Sequence, residues 1–223
     1  MGHYVKSFES FNQSGNTIID FSIPTEEYII KVLKAMDIEY VEIKIIGEGG
    51  YGFIIDLGNN SILKITSDPV EAFYANKLQS IFSTNIVRIY NIKEIVSKYQ
   101  EQQLFAIHSE KLITNISPVI KKMVDYLHKP NKIKNQLIAG TLNANDIISF
   151  FKSKIPSLPE ENILLVFDKI DRVYKECIKY ELPIYELHSG NIGIAKNNTE
   201  ELVYFDISSP IESHKPELEI IAI

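Results

Sequence analysis

The feature that most constrains the fold is the order in which two hydrophobic patterns follow each other along the chain. From Tyr40 onward, apolar residues alternate with charged or polar ones, and this period of two predicts β-strands. After Leu112, apolar residues recur mainly at the spacing of an α-helix. Because the strand patterns precede the helix patterns instead of alternating with them, the sequence predicts an α+β fold.

The elements predicted from these patterns divide the chain into three parts. Five antiparallel strands are expected near residues 41–45, 53–57, 61–66, 86–92 and 104–108. Helices are expected near residues 117–128, 143–153 and 159–181, and short strand-like pieces return at 192–194 and 202–205. We therefore predict an N-terminal extension with a helix at 1–39, a strand-rich part with one inserted helix at 40–112, and a mainly helical part at 113–223.

Charge and cysteine content exclude several classes of protein. The net charge of −6 argues against binding to the phosphate backbone of nucleic acids. The basic segment at 121–134 is interrupted by Asp125 and Pro130, and we interpret it as solvated surface. The single cysteine, Cys177, excludes an internal disulfide framework and a cysteine-rich zinc site. Because no long apolar run or signal-like N-terminus is present, we expect a cytoplasmic protein that does not bind membranes.

A glycine-rich segment lies between the first two predicted strands. Residues 47–52 have the sequence Gly-Glu-Gly-Gly-Tyr-Gly and fit the pattern G-x-G-x-x-G. A dinucleotide-binding fold would place a helix directly after these glycines, whereas here a strand follows. A glycine loop between two antiparallel strands can instead cover the phosphates of a nucleotide triphosphate through its backbone amides. A plain glycine hairpin without a ligand is the alternative interpretation.

A lysine in the third predicted strand is the next candidate. Lys64 stands between Leu63 and Ile65, where the strand would return beneath the glycine loop. A lysine there can neutralise nucleotide phosphates if a carboxylate holds its side chain. Glu71, on the helix that follows, is the predicted partner. Alternatively, Glu71 completes a capping box at the start of that helix, with Asp68 as the N-cap residue.

The segment at 186–191 carries the most specific pattern in the sequence. It resembles the catalytic loop of the protein-kinase-like superfamily in its D-x-H-x-x-N form. His188 and Asn191 stand at matching positions, and Glu186 occupies the place of the family's aspartate. Asp206 ends an apolar strand after this loop, where the family has its second metal ligand. Taken alone, Asp206 is more typical of a turn or a helix cap at the end of a strand.

The resemblance extends over roughly residues 40–208 and implies a bilobal kinase-like fold. Its N-lobe would have five antiparallel strands and one helix, and its C-lobe would be truncated and mainly helical. The implied activity is that of a phosphotransferase that uses ATP and Mg²⁺ to transfer the γ-phosphoryl group. The acceptor would be a protein Ser/Thr or a small-molecule hydroxyl. The chain is similar in this respect to compact kinase-like proteins of bacteriophages and bacteria.

The resemblance also implies a role for each site residue. The nucleotide phosphates would be covered by Gly47, Gly49, Gly50 and Gly52 and contacted by Lys64, which Glu71 holds. Glu186 would orient the acceptor hydroxyl, and Asn191 and Asp206 would bind magnesium. Residues 109–112 would form the hinge that meets adenine, with Glu110 and Leu112 among the contacts.

Two features depart from the family pattern. Glu186 keeps the carboxylate but adds a methylene, which moves the charge by about an ångström, and misplacement on that scale can lower a rate about a hundredfold. Because few residues of this sequence follow Asp206, we expect neither a full activation segment nor the later helices that bind peptide substrates. These features support an alternative, a pseudokinase that binds nucleotide or serves only as an interaction module for a protein partner.

Overall fold

The described chain contains one large sheet, one small sheet and six helices, and the predicted α+β class is confirmed. The structure is a computed structural model that describes residues 24–49, 51–96, 103–196, 198–207 and 218–222. The helices are α1 (Glu26–Ala35), α2 (Pro69–Leu78), α3 (Pro118–His128), α4 (Lys132–Ile138), α5 (Ala144–Lys154) and α6 (Glu160–Lys179). The strands are β1 (Lys44–Gly49), β2 (Gly52–Asp56), β3 (Ser61–Thr66), β4 (Ile89–Val96), β5 (Leu104–Glu110), β6 (Leu112–Ile113), β7 (Ile192–Ala195), β8 (Asn198–Tyr204) and β9 (Ile220–Ala222).

The large sheet has six strands in the order β1-β2-β3-β5-β4-β9. The first five strands of the chain pair in antiparallel fashion, whereas β9 lies parallel to β4. The sequence predicted five strands. It missed β9 because three residues are too few to show a period of two. An ion pair between Lys93 of β4 and Glu219 beside β9 joins the added strand to the sheet.

The fourth strand begins later than the sequence predicts. Ile86 forms only an isolated bridge with Tyr204 at the end of β8. The amide of Val87 donates to the Tyr204 carbonyl at 2.9 Å, and the Tyr204 amide donates to the Asn85 carbonyl at 2.9 Å. Residues 85–87 therefore bond to the small sheet, and the pairing of β4 within the large sheet begins only after them.

The central strand β3 presents different chemistry on its two faces. Leu63 and Ile65 are buried in a hydrophobic cluster that also contains Ile29 and Val32 of α1. Since successive side chains of a strand point to opposite faces, Lys64 faces away from this cluster. On that opposite side, α2 and parts of β4 and β5 join a larger core built on α3, α5 and α6. The side of the sheet that packs on α1 therefore buries mainly apolar residues, whereas the opposite side carries Lys64.

The helical part contains one helix that the sequence did not predict. Helix α4 has seven residues and begins after Asn131, whose side chain accepts the Lys134 amide at 2.8 Å. So short a segment shows too few turns for helical periodicity to emerge. Among the described helices, none is both long enough and apolar enough to cross a lipid bilayer.

The small sheet positions the second half of the candidate site. Its strand order is β6-β7-β8, and only Lys111 separates β6 from β5 of the large sheet. A 3-10 turn at Ser189–Asn191 leads into β7, and β8 leads to Asp206. The hairpin of β7 and β8 therefore brings residues 186–191 close to Asp206.

Candidate active site

Lys64 is the centre of a three-residue charge cluster. Its ammonium forms ion pairs with Glu71 of α2 and, at 2.6 Å, with Oδ1 of Asp206. The lysine side chain is 20% exposed and that of Glu71 only 11%. Residues from β3, from α2 and from the end of β8 thus converge on one point.

The contacts around Glu71 decide between its two predicted roles. Asp68 acts as the N-cap of α2, since its side chain accepts the amides of Val70 and Glu71 at 2.8 and 3.3 Å. In a capping box, the Glu71 carboxylate would accept the Asp68 amide in return. That amide instead donates to Thr66 Oγ1 at 3.1 Å. The capping-box alternative is therefore wrong for the Glu71 side chain, which pairs with Lys64.

The cluster carries more negative than positive charge when both acids are ionised. Burial raises the pKa of Glu71 to about 7, against the attraction of Lys64 and with a further contribution from the Asp206 carboxylate. Burial acts in the same direction on Asp206, but Lys64 outweighs it and holds the pKa of Asp206 below its ordinary value. Burial lowers the pKa of Lys64, but the two carboxylates raise it by more. The pKa of Lys64 therefore lies above its ordinary value. An added cation would balance the excess charge.

The backbone at Asp206 adopts an unusual conformation. Its φ of 54° lies in the left-handed region, which costs a non-glycine residue about 1–2 kcal/mol. The three other described non-glycine residues with positive φ have local explanations. Asp37 and Glu181 follow the ends of α1 and α6, and Asn60 lies in the turn between β2 and β3. Strained backbone of this kind is concentrated at functional sites, and Asp206 carries it beside a charge cluster.

Asn191 links the segment at 186–191 to Asp206. Its side chain is buried, and its amide nitrogen donates to the backbone carbonyls of Glu186 at 3.1 Å and Asp206 at 3.5 Å. These bonds fix the orientation of the amide and leave Oδ1 as the atom that could bind a cation. The Glu186 carboxylate is partly exposed and forms no hydrogen bond or ion pair with other described residues. The Glu186 carboxylate is therefore free to contact a bound molecule.

An apolar cleft of about 270 Å³ opens beside the charge cluster. Lys64, Glu71 and Asp206 lie on its wall. Most of the remaining surface is aliphatic and comes mainly from strands of the large sheet, with members such as Ile46, Ile54, Ile62 and Ile107. A cleft that is mostly apolar, with a few charged groups grouped together, has the composition of a small-molecule site.

The predicted hinge forms another wall of the cleft. Residues 109–112 all line it, including the predicted contacts Glu110 and Leu112. The amide of Glu110 donates to the Arg88 carbonyl at 3.0 Å, and its carboxylate accepts the Arg88 amide at 2.7 Å. The Lys111 amide donates to the Asn60 carbonyl at 2.9 Å. The amides of Glu110 and Lys111 are thus engaged within the protein, and a bound base would contact other groups of this segment.

The glycine segment forms the hairpin between β1 and β2. Gly47 and Gly49 lie in β1, Gly52 begins β2, and Gly50 lies outside the described residues. The carbonyl of Tyr51, at the turn, accepts the Ser67 amide at 2.8 Å, which ties the hairpin to the end of β3. At Gly52, an added Cβ would stand 1.9 Å from the Ile65 carbonyl oxygen. This glycine is therefore required by the close approach of two strands, whatever else the hairpin does.

Sequence reasoning missed Asp125, which forms two hydrogen bonds to residues 186–191, the candidate catalytic segment. Asp125 of α3 accepts both the amide and the hydroxyl of Ser189, each at 2.9 Å. In the sequence, Asp125 is one acid among several lysines and suggests only surface. The partners are 64 positions apart, so no local pattern could have found this contact.

The oxygen donors suit a magnesium ion that is held partly by its substrate. Asn191 and Asp206 supply an amide and a carboxylate oxygen, which are ligands that Mg²⁺ accepts. The described residues contain no group of three or more His, Cys, Asp or Glu side chains that could hold a metal by itself. Mg²⁺ commonly keeps water and takes further oxygens from substrate phosphates, so two protein ligands are compatible with it.

No protein-family model matches the sequence, and no curated protein matches it either. A functional assignment for this chain therefore depends on the residues of the site.

Proposed function

We propose that this chain is an ATP- and Mg²⁺-dependent phosphotransferase of the protein-kinase-like superfamily. The observation that carries the proposal is the contact of Lys64 with both Glu71 and Asp206 at one end of an apolar cleft. Three residues chosen from sequence patterns on separate elements meet there. An enzyme that transfers phosphoryl groups needs a buried cation for the phosphates and oxygen ligands for magnesium, and this arrangement offers both.

Each part of the site has a role in this proposal. The aliphatic walls and residues 109–112 receive adenine, and the hairpin at 47–52 covers the phosphates. Lys64 contacts phosphate oxygens, while Glu71 keeps its side chain aimed into the cleft. Asn191 and Asp206 hold magnesium, which neutralises charge on the β- and γ-phosphates when bound. Glu186 accepts a hydrogen bond from the acceptor hydroxyl, which belongs to a protein Ser/Thr or to a small molecule.

The arrangement of elements supports the kinase-like assignment at the level of the fold. In the proposed N-lobe, β1 to β5 and α2 stand in the order expected of a kinase-like protein, with Lys64 on β3 and Glu71 on α2. The proposed C-lobe contains α3 to α6 and the hairpin of β7 and β8. Strand β9 returns from beyond Asp206 to the N-lobe sheet, which is an addition to the pattern.

The wild-type protein is expected to gain stability from ATP and Mg²⁺ together, and Lys64→Met to lose most of that gain. A ligand that binds only the folded state adds about 2.7 kcal/mol at about a hundred times its dissociation constant. Thermal unfolding with ATP alone, Mg²⁺ alone and both measures this effect. Lys93→Met is a matched control, because Lys93 is a strand lysine with a carboxylate partner and a similar exposure, 15% against 20% for Lys64.

Lys64→Met also removes the cation between two acids and so changes the stability of the protein without ligand. For each variant, the unfolding temperature with ATP and Mg²⁺ should therefore be compared with that of the same variant without ligand. Equal shifts in wild type and Lys64→Met would contradict the assignment of Lys64. The absence of any shift in the wild type would contradict nucleotide binding and leave a protein whose cleft has another use.

A second candidate function is a pseudokinase that binds nucleotide or a protein partner without turnover. The observation that favours it is the longer side chain at Glu186, whose carboxylate has no described partner to hold it. We expect Glu186→Asp to raise turnover by about 10- to 100-fold with unchanged affinity for ATP, because it returns the carboxylate to the shorter reach. Phosphoryl transfer is measured with radiolabelled ATP, and Glu186→Gln serves as the inactive control. If the wild type and Glu186→Asp both bind ATP but neither transfers phosphate, the pseudokinase is favoured.

A further inference from the structure

Helix α3 contacts the middle of the candidate catalytic segment, residues 186–191. Asp125 Oδ1 accepts the Ser189 amide and Oδ2 accepts the Ser189 hydroxyl, both at 2.9 Å. Ser189 begins the 3-10 turn, where its amide would otherwise lack an intrahelical partner. One carboxylate on a helix therefore satisfies two donors of the same loop residue, and both bonds are charge-assisted.

A second contact from the same helix acts on the neighbouring residue. The ring of His128 packs edge-on against that of His188, with centroids 5.5 Å apart. Residues 125 and 128 are three positions apart and share one face of α3. His188 in turn accepts the Gly190 amide on Nδ1 at 3.0 Å. Residues 188, 189 and 190 are thus fixed by one helix face and by each other.

The held segment lies between the two residues with proposed chemical roles. Ser189 is three positions after Glu186 and two before Asn191. The Asn191 side chain donates to the Glu186 carbonyl at 3.1 Å, so a hydrogen bond joins the two residues directly. A displacement of Ser189 would therefore alter the position of the proposed base and of a proposed magnesium ligand together. Asp125 is not among the residues that line the cleft.

We propose that Asp125 is a positioning residue for phosphoryl transfer, acting through Ser189 on Glu186 and Asn191. The inference rests on the proposed function. Because Asp125 lies outside the cleft, its loss should reduce the transfer step more than nucleotide binding. This separation distinguishes positioning from a general role in stability, which would affect both.

The kinetic test uses the full chain and two substitutions at one position. Asp125→Ala removes both acceptors, whereas Asp125→Asn keeps one. Misplacement of about an ångström can cost about a hundredfold, so we expect kcat to fall by roughly 100-fold in Asp125→Ala and less in Asp125→Asn. KM for ATP should stay within about threefold. Asp168→Asn, another exposed helical aspartate, is the matched control, since its ion pair with Arg172 lies on α6.

Coupling with Ser189 provides an independent check. If Asp125 acts through Ser189, the double variant Asp125→Ala/Ser189→Ala is no slower than Asp125→Ala alone. If the two substitutions lower kcat by factors that multiply in the double variant, Asp125 does not act through Ser189. Unchanged kcat in Asp125→Ala would overturn the inference altogether.

Hydrogen exchange tests the positioning without any requirement for activity. In Asp125→Ala, the amide of Ser189 should exchange at least about tenfold faster, with the α6 amides unchanged as an internal reference. Unchanged exchange at Ser189 would contradict the inference even if kcat falls. If the wild type neither binds ATP nor transfers phosphate, the proposed function fails, and faster exchange would still assign Asp125 as the residue that orders this loop.

Discussion

Asp206→Ala is expected to abolish the magnesium-dependent part of nucleotide binding and to lower phosphoryl transfer by about 10²–10³-fold. Asp206 is both a proposed magnesium ligand and a direct partner of Lys64, at 2.6 Å. Its removal takes away a metal oxygen and also one of the two carboxylates that hold the phosphate-binding lysine. The Mg²⁺-dependent gain in stability, about 2.7 kcal/mol at about a hundredfold excess of ligand over its dissociation constant, should disappear.

The measurement is thermal unfolding with ATP, with and without Mg²⁺, together with the transfer assay. Glu219→Ala is a suitable control, because Glu219 is also paired with a strand lysine but lies at β9, away from the cleft. A Mg²⁺-dependent shift of normal size in Asp206→Ala would remove Asp206 from the metal site. Transfer that persists at the wild-type rate would remove it from the reaction.

Gly52→Ala is expected to destabilise the fold itself, by about 3 kcal/mol. Its Cβ would lie 1.9 Å from the Ile65 carbonyl oxygen, 2.8 Å from the Ile65 carbonyl carbon and 2.9 Å from Thr66 Cα. These are backbone atoms of β3, so relief of the clash requires the separation of two paired strands. Since β3 also carries Lys64, the same displacement should weaken nucleotide binding.

Urea unfolding measures this loss, and Gly47→Ala in the same hairpin is the matched control. At Gly47, an added Cβ would stand 3.3 Å from Ile54 Cδ1, the flexible end of a side chain. Gly47→Ala should therefore lower the free energy of unfolding by less than about 1 kcal/mol. Equal losses in the two variants would contradict the steric account. A loss of stability in Gly52→Ala, measured without added nucleotide, would mean that strand packing explains the glycine at this position.

The charge cluster illustrates how far sequence reasoning extends into a site. Alternation along β3 places Lys64 on the face opposite Leu63 and Ile65, and the structure has that arrangement. The choice between a capping role and an ion pair for Glu71 could not be made from the sequence. It depended on whether the Asp68 amide was free, and Thr66 Oγ1 accepts it.

Periodicity and turn chemistry determine local structure, because they are properties of a few consecutive residues. The sequence by itself therefore determined the α+β class and the strand on which Lys64 lies. Contacts between distant segments depend on how the sheets and helices pack, and a window of sequence contains no information about that packing. Tertiary structure alone decided that Asp206 reaches Lys64 across 142 positions, that Asp125 holds Ser189, and that three residues near the end complete the large sheet as β9.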